Sequence, residues 1–343
     1  MPRKRPIPGR AVAAIALVAL ARTATPCDVC AVYTATELRE RRTGFHAGVA
    51  EQLSRFSTLQ DDGTEVRNVA HERLVSSITQ LWLGYNPTPR FGVQLNVPVV
   101  SRQFRRVEDR RLVHGDESGI GDVALVGEAL VHSVVTEESV FRFSLLGGLK
   151  LPTGDTDRLA EELAEEHHAA TRTPRPLHTG GETPAPEEPH GAAIASGVHG
   201  HDLALGSGSV DGIVGGRIFW SWRRLFVTAG GQYAIRSEGD FDYTYANDLT
   251  WSGGPGAFAL LDPRYTLGVQ AAVSGETKGN DRQAGVRLDD TAVTALYVGP
   301  GLLFTWGTSL AAELVADLPA VQNTSGRQLV PDFRLRGSAS WRF

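Results

Sequence analysis

The sequence predicts an all-β protein, a transmembrane antiparallel up-and-down β-barrel of about twelve strands with one long acidic, histidine-rich extracellular loop. Three observations predict this fold. Apolar and polar residues alternate in repeated segments, short and long connections alternate between those segments, and the N-terminus has the pattern of a secretory signal. After the signal, no apolar run reaches the roughly 18 residues of a membrane-spanning helix, so a membrane protein of this kind needs a closed barrel.

The segment from Phe333 to Phe343 shows the alternation most clearly. Every second residue is apolar or small, and the residues between them are polar: Arg334, Arg336, Ser338, Ser340 and Arg342. A period of two indicates an extended strand with two different faces. In membrane barrels the apolar face meets lipid, the polar face meets the lumen and aromatic residues mark the interface. The segment is therefore predicted to be the closing strand of an outer-membrane barrel.

Twelve strand candidates follow one another from position 42 onward. The first, second and tenth alternate poorly, and the others repeat the pattern of the closing strand. The predicted strands are 42–56, 73–86, 89–102, 118–134, 138–152, 208–221, 224–236, 243–260, 264–276, 290–305, 308–318 and 330–343.

The lengths of the connections give an independent test. Strands two and three, four and five, six and seven, eight and nine, and ten and eleven are joined by tight turns. The remaining connections are longer: 57–72, 103–117, 153–207, 237–242, 277–289 and 319–329. Bacterial outer-membrane barrels have short periplasmic turns and longer extracellular loops. An even number of strands then puts both termini in the periplasm.

The N-terminal 21 residues are predicted to be a signal peptide. Arg3, Lys4 and Arg5 form a positive region, Ala11 to Leu20 is apolar, and the small residues around Ala21 suit cleavage. An uncleaved anchor is the alternative, but about ten apolar residues are too few to span a bilayer. Residues 22–41 are expected to be a periplasmic segment, and residues 42–343 the barrel in the outer membrane.

The periplasmic segment contains two cysteines, Cys27 and Cys30. The periplasm is oxidising, so the pair is expected to close a small disulfide loop. Half of a site for a soft metal is the alternative. Covalent haem attachment requires histidine after the second cysteine, where Ala31 stands.

Residues 153–207 form a connection far longer than usual, which indicates a functional or a disordered segment. Ten acidic residues and three arginines give the stretch a charge of −7, and it holds six of the ten histidines of the chain. Its prolines indicate a partly unstructured segment. Imidazole and carboxylate groups are ligands for Zn, Cu or Ni. The candidate ligands are His167, His168, His199, His201, Glu161 and Glu165; a solvated acidic loop is the alternative reading.

Charged residues on the predicted inner face have both signs. They could line a water path or pair with one another to fill the lumen. The predicted lumen-lining residues are Asp122, Glu128, Arg142, Lys150, Arg217, Arg236, Arg264, Glu313, Asp317, Arg334, Arg336 and Arg342; the same alternation puts His132 and Glu276 on this face.

Other function classes receive little support. The net charge of −5 argues against nucleic-acid binding as a primary role. The chain has no Gly-x-Ser-x-Gly nucleophile elbow and no phosphate-binding loop of the Walker type. His132 and Ser133 are neighbours on a strand and point to opposite faces. The protein is therefore predicted not to be an enzyme.

From about Ser118 to Phe343 the chain resembles a family of Gram-negative outer-membrane barrels named for the meta-pathway of phenol degradation. The matching stretches include Gly119 to Asp122, Lys150 to Asp155, Leu205 to Ser209, Val298 to Leu302, and Trp341 to Phe343. The resemblance implies an outer-membrane barrel with a transport role and implies no catalytic residues. It also implies contact with outer-membrane lipid, lipopolysaccharide and the barrel-assembly machinery, which would read Phe343.

Two functions follow from these patterns. The first is a channel or transporter-like barrel for uptake or efflux of a small solute, with aromatic or metal-linked compounds as candidates. The alternative is a filled barrel that acts as a surface scaffold for binding or sensing, with the loop 153–207 capturing a divalent metal.

Overall fold

The computed structural model describes residues 42–108, 111–162 and 196–343. The signal peptide, the N-terminal segment and the Cys27–Cys30 pair lie outside the described residues. So do three candidate metal ligands in the long loop, Glu165, His167 and His168.

Twelve long strands form the wall, and we number them β1 to β12 in chain order. Their bounds are Gly44–Asp61 (β1), Arg73–Thr88 (β2), Phe91–Glu108 (β3), Ala124–Val135 (β4), Ser139–Lys150 (β5), Asp211–Trp222 (β6), Leu225–Ile235 (β7), Asp248–Leu261 (β8), Tyr265–Lys278 (β9), Val293–Trp306 (β10), Leu310–Thr324 (β11) and Arg327–Arg342 (β12). Each strand pairs with its neighbours in the chain. β1 also pairs antiparallel with β12, for example Val49 with Ala339, which closes the barrel. The predicted twelve-strand antiparallel barrel is confirmed.

Shorter elements lie in the connections. They are the strands Thr64–Val66, Arg111–Ile120, Tyr243–Thr244, Arg282–Gln283 and Val286–Arg287, the 3-10 turns Asp157–Leu159 and Asp240–Asp242, and the α-helical turn Gly200–Leu203. Within the described ranges, no helix is long and apolar enough to cross a membrane.

Two predicted loops are wrong, because the strands beside them run further than predicted. Most of 103–117 is strand: β3 continues to Glu108 and pairs with Arg111–Ile120. In 319–329, β11 reaches Thr324 and β12 begins at Arg327, so this connection is a tight turn. These extensions carry polar residues on both faces, and the period-two pattern that marks a membrane-facing strand is therefore missing there.

The outer surface of the barrel is apolar. On β7, Leu225, Val227, Tyr233 and Ile235 are all exposed, as the alternation of that strand predicts. On β12, Leu335 and Trp341 are 41% and 50% exposed. A soluble monomer rarely exposes so continuous an apolar surface. This surface matches the lipid-facing band of a membrane barrel.

Two polar side chains depart from this pattern. Glu51 on β1 is opposite Thr79, on the same face as the exposed Leu81, and its carboxylate accepts hydrogen bonds from the hydroxyls of Ser77 (2.6 Å) and Thr79 (2.5 Å). His132 was predicted on the inner face, but a β-bulge after Leu130 shifts the register and leaves His132 exposed. A bulge reverses the alternation of every residue beyond it.

Candidate functional site: the lumen and its plug

The lumen holds a cavity of about 240 Å³. Its wall combines apolar groups with charged side chains of both signs. The charged residues on the inner face that line it are Glu128, Arg142, Arg217, Glu276, Glu313, Arg334 and Arg336. Inner-face polar groups on many strands therefore meet in one chamber, although they are far apart in the sequence.

Ion pairs between different strands connect several of these charged side chains on the inner face of the barrel. Arg217 donates to Glu128, and Arg336 pairs with Asp317 (Nε to Oδ2, 2.7 Å). Arg334 contacts Glu276 (Nη2 to Oε1, 2.7 Å) and lies over the ring of Tyr297, 4.4 Å from its centroid. The lumen is thus lined by organised charge pairs and is not filled by apolar side chains at this level.

An aromatic cluster lies below the cavity, at the end of the barrel where the short turns are. Phe219 on β6, Phe226 on β7, Phe258 on β8 and Leu303 on β10 pack together and are buried. The rings of Phe226 and Phe258 contact each other in a tilted arrangement, with centroids 4.7 Å apart, which stabilises the cluster. It narrows the lumen on this side.

The described ends of the long loop, residues 153–162 and 196–207, fold into the opposite end of the barrel. We call these two segments the plug. Val198 and Leu203 pack with the wall residues Leu59, Leu74 and Phe104. Leu205 reaches further down, to Ile78, which also lines the cavity. Burial of these apolar side chains contributes about 1.5–3 kcal/mol each, so the plug is a packed part of the barrel mouth.

Polar groups of the wall hold the plug backbone. Arg102 on β3 donates to the carbonyl oxygens of Asp202 and Ala204. Glu72 accepts hydrogen bonds from the Ser196 hydroxyl (2.6 Å) and the Gly197 amide (3.3 Å). These contacts satisfy backbone groups that would otherwise be buried without partners.

A buried charge network lies where the plug joins the wall. Lys150 contacts Asp122 (2.7 Å) and Asp211 (2.9 Å), and Asp211 also pairs with Arg236 (2.7 Å). The amide and hydroxyl of Ser207 both donate to Asp122. Removing one partner from such a network leaves an uncompensated buried charge.

Two glycines allow the ends of the plug to touch. A Cβ on Gly206 would lie 2.7 Å from the Asp122 carboxylate and 2.7 Å from the Gly154 backbone, and a Cβ on Gly154 would lie 2.6 Å from the Leu205 carbonyl oxygen. Gly154, Asp122, Lys150 and Ser207 belong to three of the sequence stretches that carry the family resemblance. The structure brings those three stretches together at one point.

The plug also brings together three buried metal-ligand groups. One ligand atom from each of Glu162, His199 and His201 lies within 4.8 Å of the others. His201 donates from Nδ1 (2.9 Å) and from its backbone amide (2.9 Å) to Glu162 Oε1. Glu162 was not among the predicted ligands. The predicted Glu161 faces elsewhere, and its carboxylate pairs with Arg106 (2.8 Å).

Nearby charges control the protonation of this cluster. Burial opposes ionisation of Glu162, but His201 and His199 outweigh burial and lower the pKa of Glu162 to about 2. Burial also opposes the charge on His201, but Asp202 and Glu162 outweigh it and raise the pKa of His201 to about 10. The surroundings therefore favour a positive charge at the histidines.

The structure divides the predicted lumen residues into four groups. Glu128, Arg142, Arg217, Glu313, Arg334 and Arg336 line the cavity. Asp122, Lys150, Arg236 and Asp317 are in ion pairs. Arg264 lies in the exposed turn between β8 and β9. Arg342 lies at the end of β12, where its amide donates to the Ser309 carbonyl.

Sequence reasoning missed Asp211, Glu72 and Glu162. Asp211 stands at the start of a strand, Glu72 precedes one, and Glu162 is one of several glutamates in a helix-forming run. No local signal separates these acids from solvent-exposed ones, because their partners come from distant parts of the chain.

The fold and the lined lumen define a closed twelve-strand barrel of the outer-membrane type. No protein-family model matches the chain, and no curated protein matches it. Among solved structures it is similar to the COG4313 outer membrane channel from Pseudomonas putida F1, with a TM-score of 0.59 and 14% identity, covering 93% of this chain and 99% of that one. It also matches the β domain of the Bordetella autotransporter Brka, with a TM-score of 0.41 and 10% identity, covering 87% and 99%. At this identity the likeness to the channel shows the fold, and the family resemblance stays a prediction.

Proposed function

We propose that the protein is an outer-membrane channel for passive passage of a small hydrophilic solute, in uptake or efflux. The observation that carries the proposal is the cavity inside the barrel, which charged groups of both signs line between the plug and the aromatic cluster. Lipid would contact the apolar outer wall, and the end of the barrel that carries the plug would face the outside of the cell.

The lining limits the class of solute. Eight charged residues line the cavity, four acidic and four basic, and all of them except Glu51 lie on the inner face. A purely apolar molecule would have to displace water from these groups without replacing their hydrogen bonds, which is unfavourable. An aromatic solute would therefore need a charged or strongly polar substituent. That the barrel is not an enzyme also remains a prediction.

A second candidate function has its own supporting observation. The plug is anchored by hydrogen bonds of Ser207 with Asp122 and Lys150 and by wall contacts from Arg102 and Glu72. A barrel kept closed in this way would act as a scaffold that presents its long loop at the cell surface. In this case the loop would perform the binding function, and the lumen would conduct nothing.

Single-channel recording in planar bilayers distinguishes the two functions. The full-length protein is refolded in detergent, its folding is checked by heat-modifiable migration on gels, and it is then reconstituted. A channel gives discrete conductance steps in potassium chloride. Folded protein that inserts without any conductance would refute the channel and favour the scaffold.

A further inference from the structure

We propose that Glu162, His199 and His201 form a binding site for a divalent transition-metal ion, with Zn²⁺ as the representative ion. All three residues are buried in the plug, and the ligand atoms are within 4.8 Å of one another. The site differs from the set that the sequence predicted, because Glu162 takes the place of Glu161. It is independent of whether the barrel conducts.

The distances are close to those of a metal centre. Zn²⁺ binds imidazole nitrogen and carboxylate oxygen at about 2.0–2.2 Å, so two ligands of a tetrahedral site are about 3.4 Å apart. His201 Nδ1 and Glu162 Oε1 are 2.9 Å apart. A small side-chain movement would therefore admit the ion, provided that the ligating nitrogen gives up its proton.

The ring of His199 is already oriented in the way metal-binding histidines are. Its Nε2–H lies 2.9 Å from the carbonyl oxygen of Ser196 and 3.1 Å from that of Arg327, and a proton on Nε2 serves both acceptors. In the neutral form of His199 this arrangement leaves Nδ1 as the nitrogen with a lone pair, so binding of the ion would require loss of the second ring proton. A backbone carbonyl that holds the other ring nitrogen is the usual second contact of a metal-ligating histidine.

The charge around the site suits a cation. Two more carboxylates approach the histidine rings, Asp290 at 3.6 Å from His199 Nδ1 and Asp202 at 3.6 Å from His201 Nε2. Both are partly exposed, so an ion could enter along them. Asp290 faces the nitrogen that would bind the ion and could complete the coordination, whereas Asp202 faces the other ring nitrogen of His201 and would hold its proton. The nearby Lys278 is paired with Asp281 at 2.6 Å, which reduces its repulsion of a cation.

The donor set indicates the class of metal. Two imidazoles and a carboxylate suit Zn²⁺, Cu²⁺ or Ni²⁺, whereas Mg²⁺ and Ca²⁺ prefer oxygen ligands. Because Glu162 belongs to the first segment of the plug and both histidines to the second, a bound ion would cross-link the two segments at the barrel mouth.

The test is calorimetric titration of the refolded full-length protein with Zn²⁺ and, in parallel, with Mg²⁺. Four variants sharpen it: Glu162→Gln, His201→Gln, a control His114→Gln on an exposed strand, and a variant with His167, His168, His178 and His190 all changed to Gln. We expect one Zn²⁺ site in the wild type, in the His114 control and in the four-histidine variant. Affinity should fall at least about tenfold in each of the other two variants, because each loses a ligand.

Two results would overturn the site. One is a failure of the four-histidine variant to bind Zn²⁺, because this variant keeps all three proposed ligands. That result is decisive whether or not the ligand variants fold. The other is unchanged Zn²⁺ affinity in folded Glu162→Gln protein. Equal binding of Mg²⁺ would contradict the proposed class of metal.

Discussion

The backbone amide of Leu205 donates a hydrogen bond to the carbonyl oxygen of Asp155, with the nitrogen and oxygen 3.0 Å apart. The two ends of the plug therefore meet at the barrel wall, although the whole long loop separates them in the sequence. Gly206 donates to the same oxygen at 2.9 Å. This closure allows the loop to be removed without pulling β5 and β6 apart.

Removal of residues 156–204, with a Gly-Gly link from Asp155 to Leu205, should raise the single-channel conductance severalfold. The deletion takes away the side chains that close the mouth, while the paired strands and the Lys150 network stay in place. Recording in planar bilayers measures the effect. In the control, a flexible linker replaces only 163–195 and the plug remains, so the conductance should match the wild type. An identical current from the plug deletion would mean that the plug does not limit flow.

Replacement of Lys150 by Met should destabilise the barrel strongly. The side chains of Lys150, Asp122 and Asp211 are at most 3% exposed, so the change leaves buried carboxylates without their shared cation. The expected loss in the free energy of unfolding is about 3–5 kcal/mol. Urea titration followed by tryptophan fluorescence measures it.

The Arg223–Glu138 pair provides a matched control. It has a similar length, 2.8 Å, but its side chains are 63% and 56% exposed. Arg223→Met should therefore change the free energy of unfolding by less than about 1 kcal/mol. If the two variants lose the same stability, the buried network around Lys150 contributes no more to the stability of the barrel than an exposed ion pair does.

Gly206→Ala should loosen the plug without disrupting the barrel. The added Cβ would lie 2.7 Å from both the Asp122 carboxylate and the Gly154 backbone, and these groups would have to move. Such overpacking costs about 1–3 kcal/mol. Hydrogen exchange should become faster in residues 196–207 and stay unchanged in the strands. Gly147→Ala is the control, because the nearest atom to its added Cβ would be 3.8 Å away. Exchange in residues 196–207 that stays slow in both variants would contradict the tight contact at Gly206.

The barrel could be predicted from the sequence because membrane strands follow a local rule. Trp341 and Leu335 face outward because they occupy alternate positions of one strand, and no distant contact is needed to assign them. The rule does not apply to residues that lie outside the lipid-facing band of the barrel. Arg111–Ile120 pairs with β3 above the apolar band, and a bulge turns His132 outward.

The plug could not be predicted in the same way. Its packing depends on contacts between Leu203 and Phe104 and between Ser207 and Asp122, which join separate parts of the chain. The choice between Glu161 and Glu162 depends on the rotation of a single helical turn. Neighbouring residues on a helix differ in direction by about 100°, so an error of one position exchanges a metal-ligand candidate for a partner of Arg106.

The two members of the Glu128–Arg217 pair should have opposite effects on the charge preference of the channel. Both residues line the cavity and contact each other. Glu128→Gln removes a negative charge from the wall and should shift the reversal potential in a salt gradient toward anions. Arg217→Gln should shift it toward cations, and the double variant, whose net wall charge equals that of the wild type, should return close to the wild-type value. Since the change is electrostatic, each shift should shrink as the salt concentration rises. Shifts of the same sign in both single variants would contradict this electrostatic effect, and no shift in either would show that ions do not pass this point of the lumen.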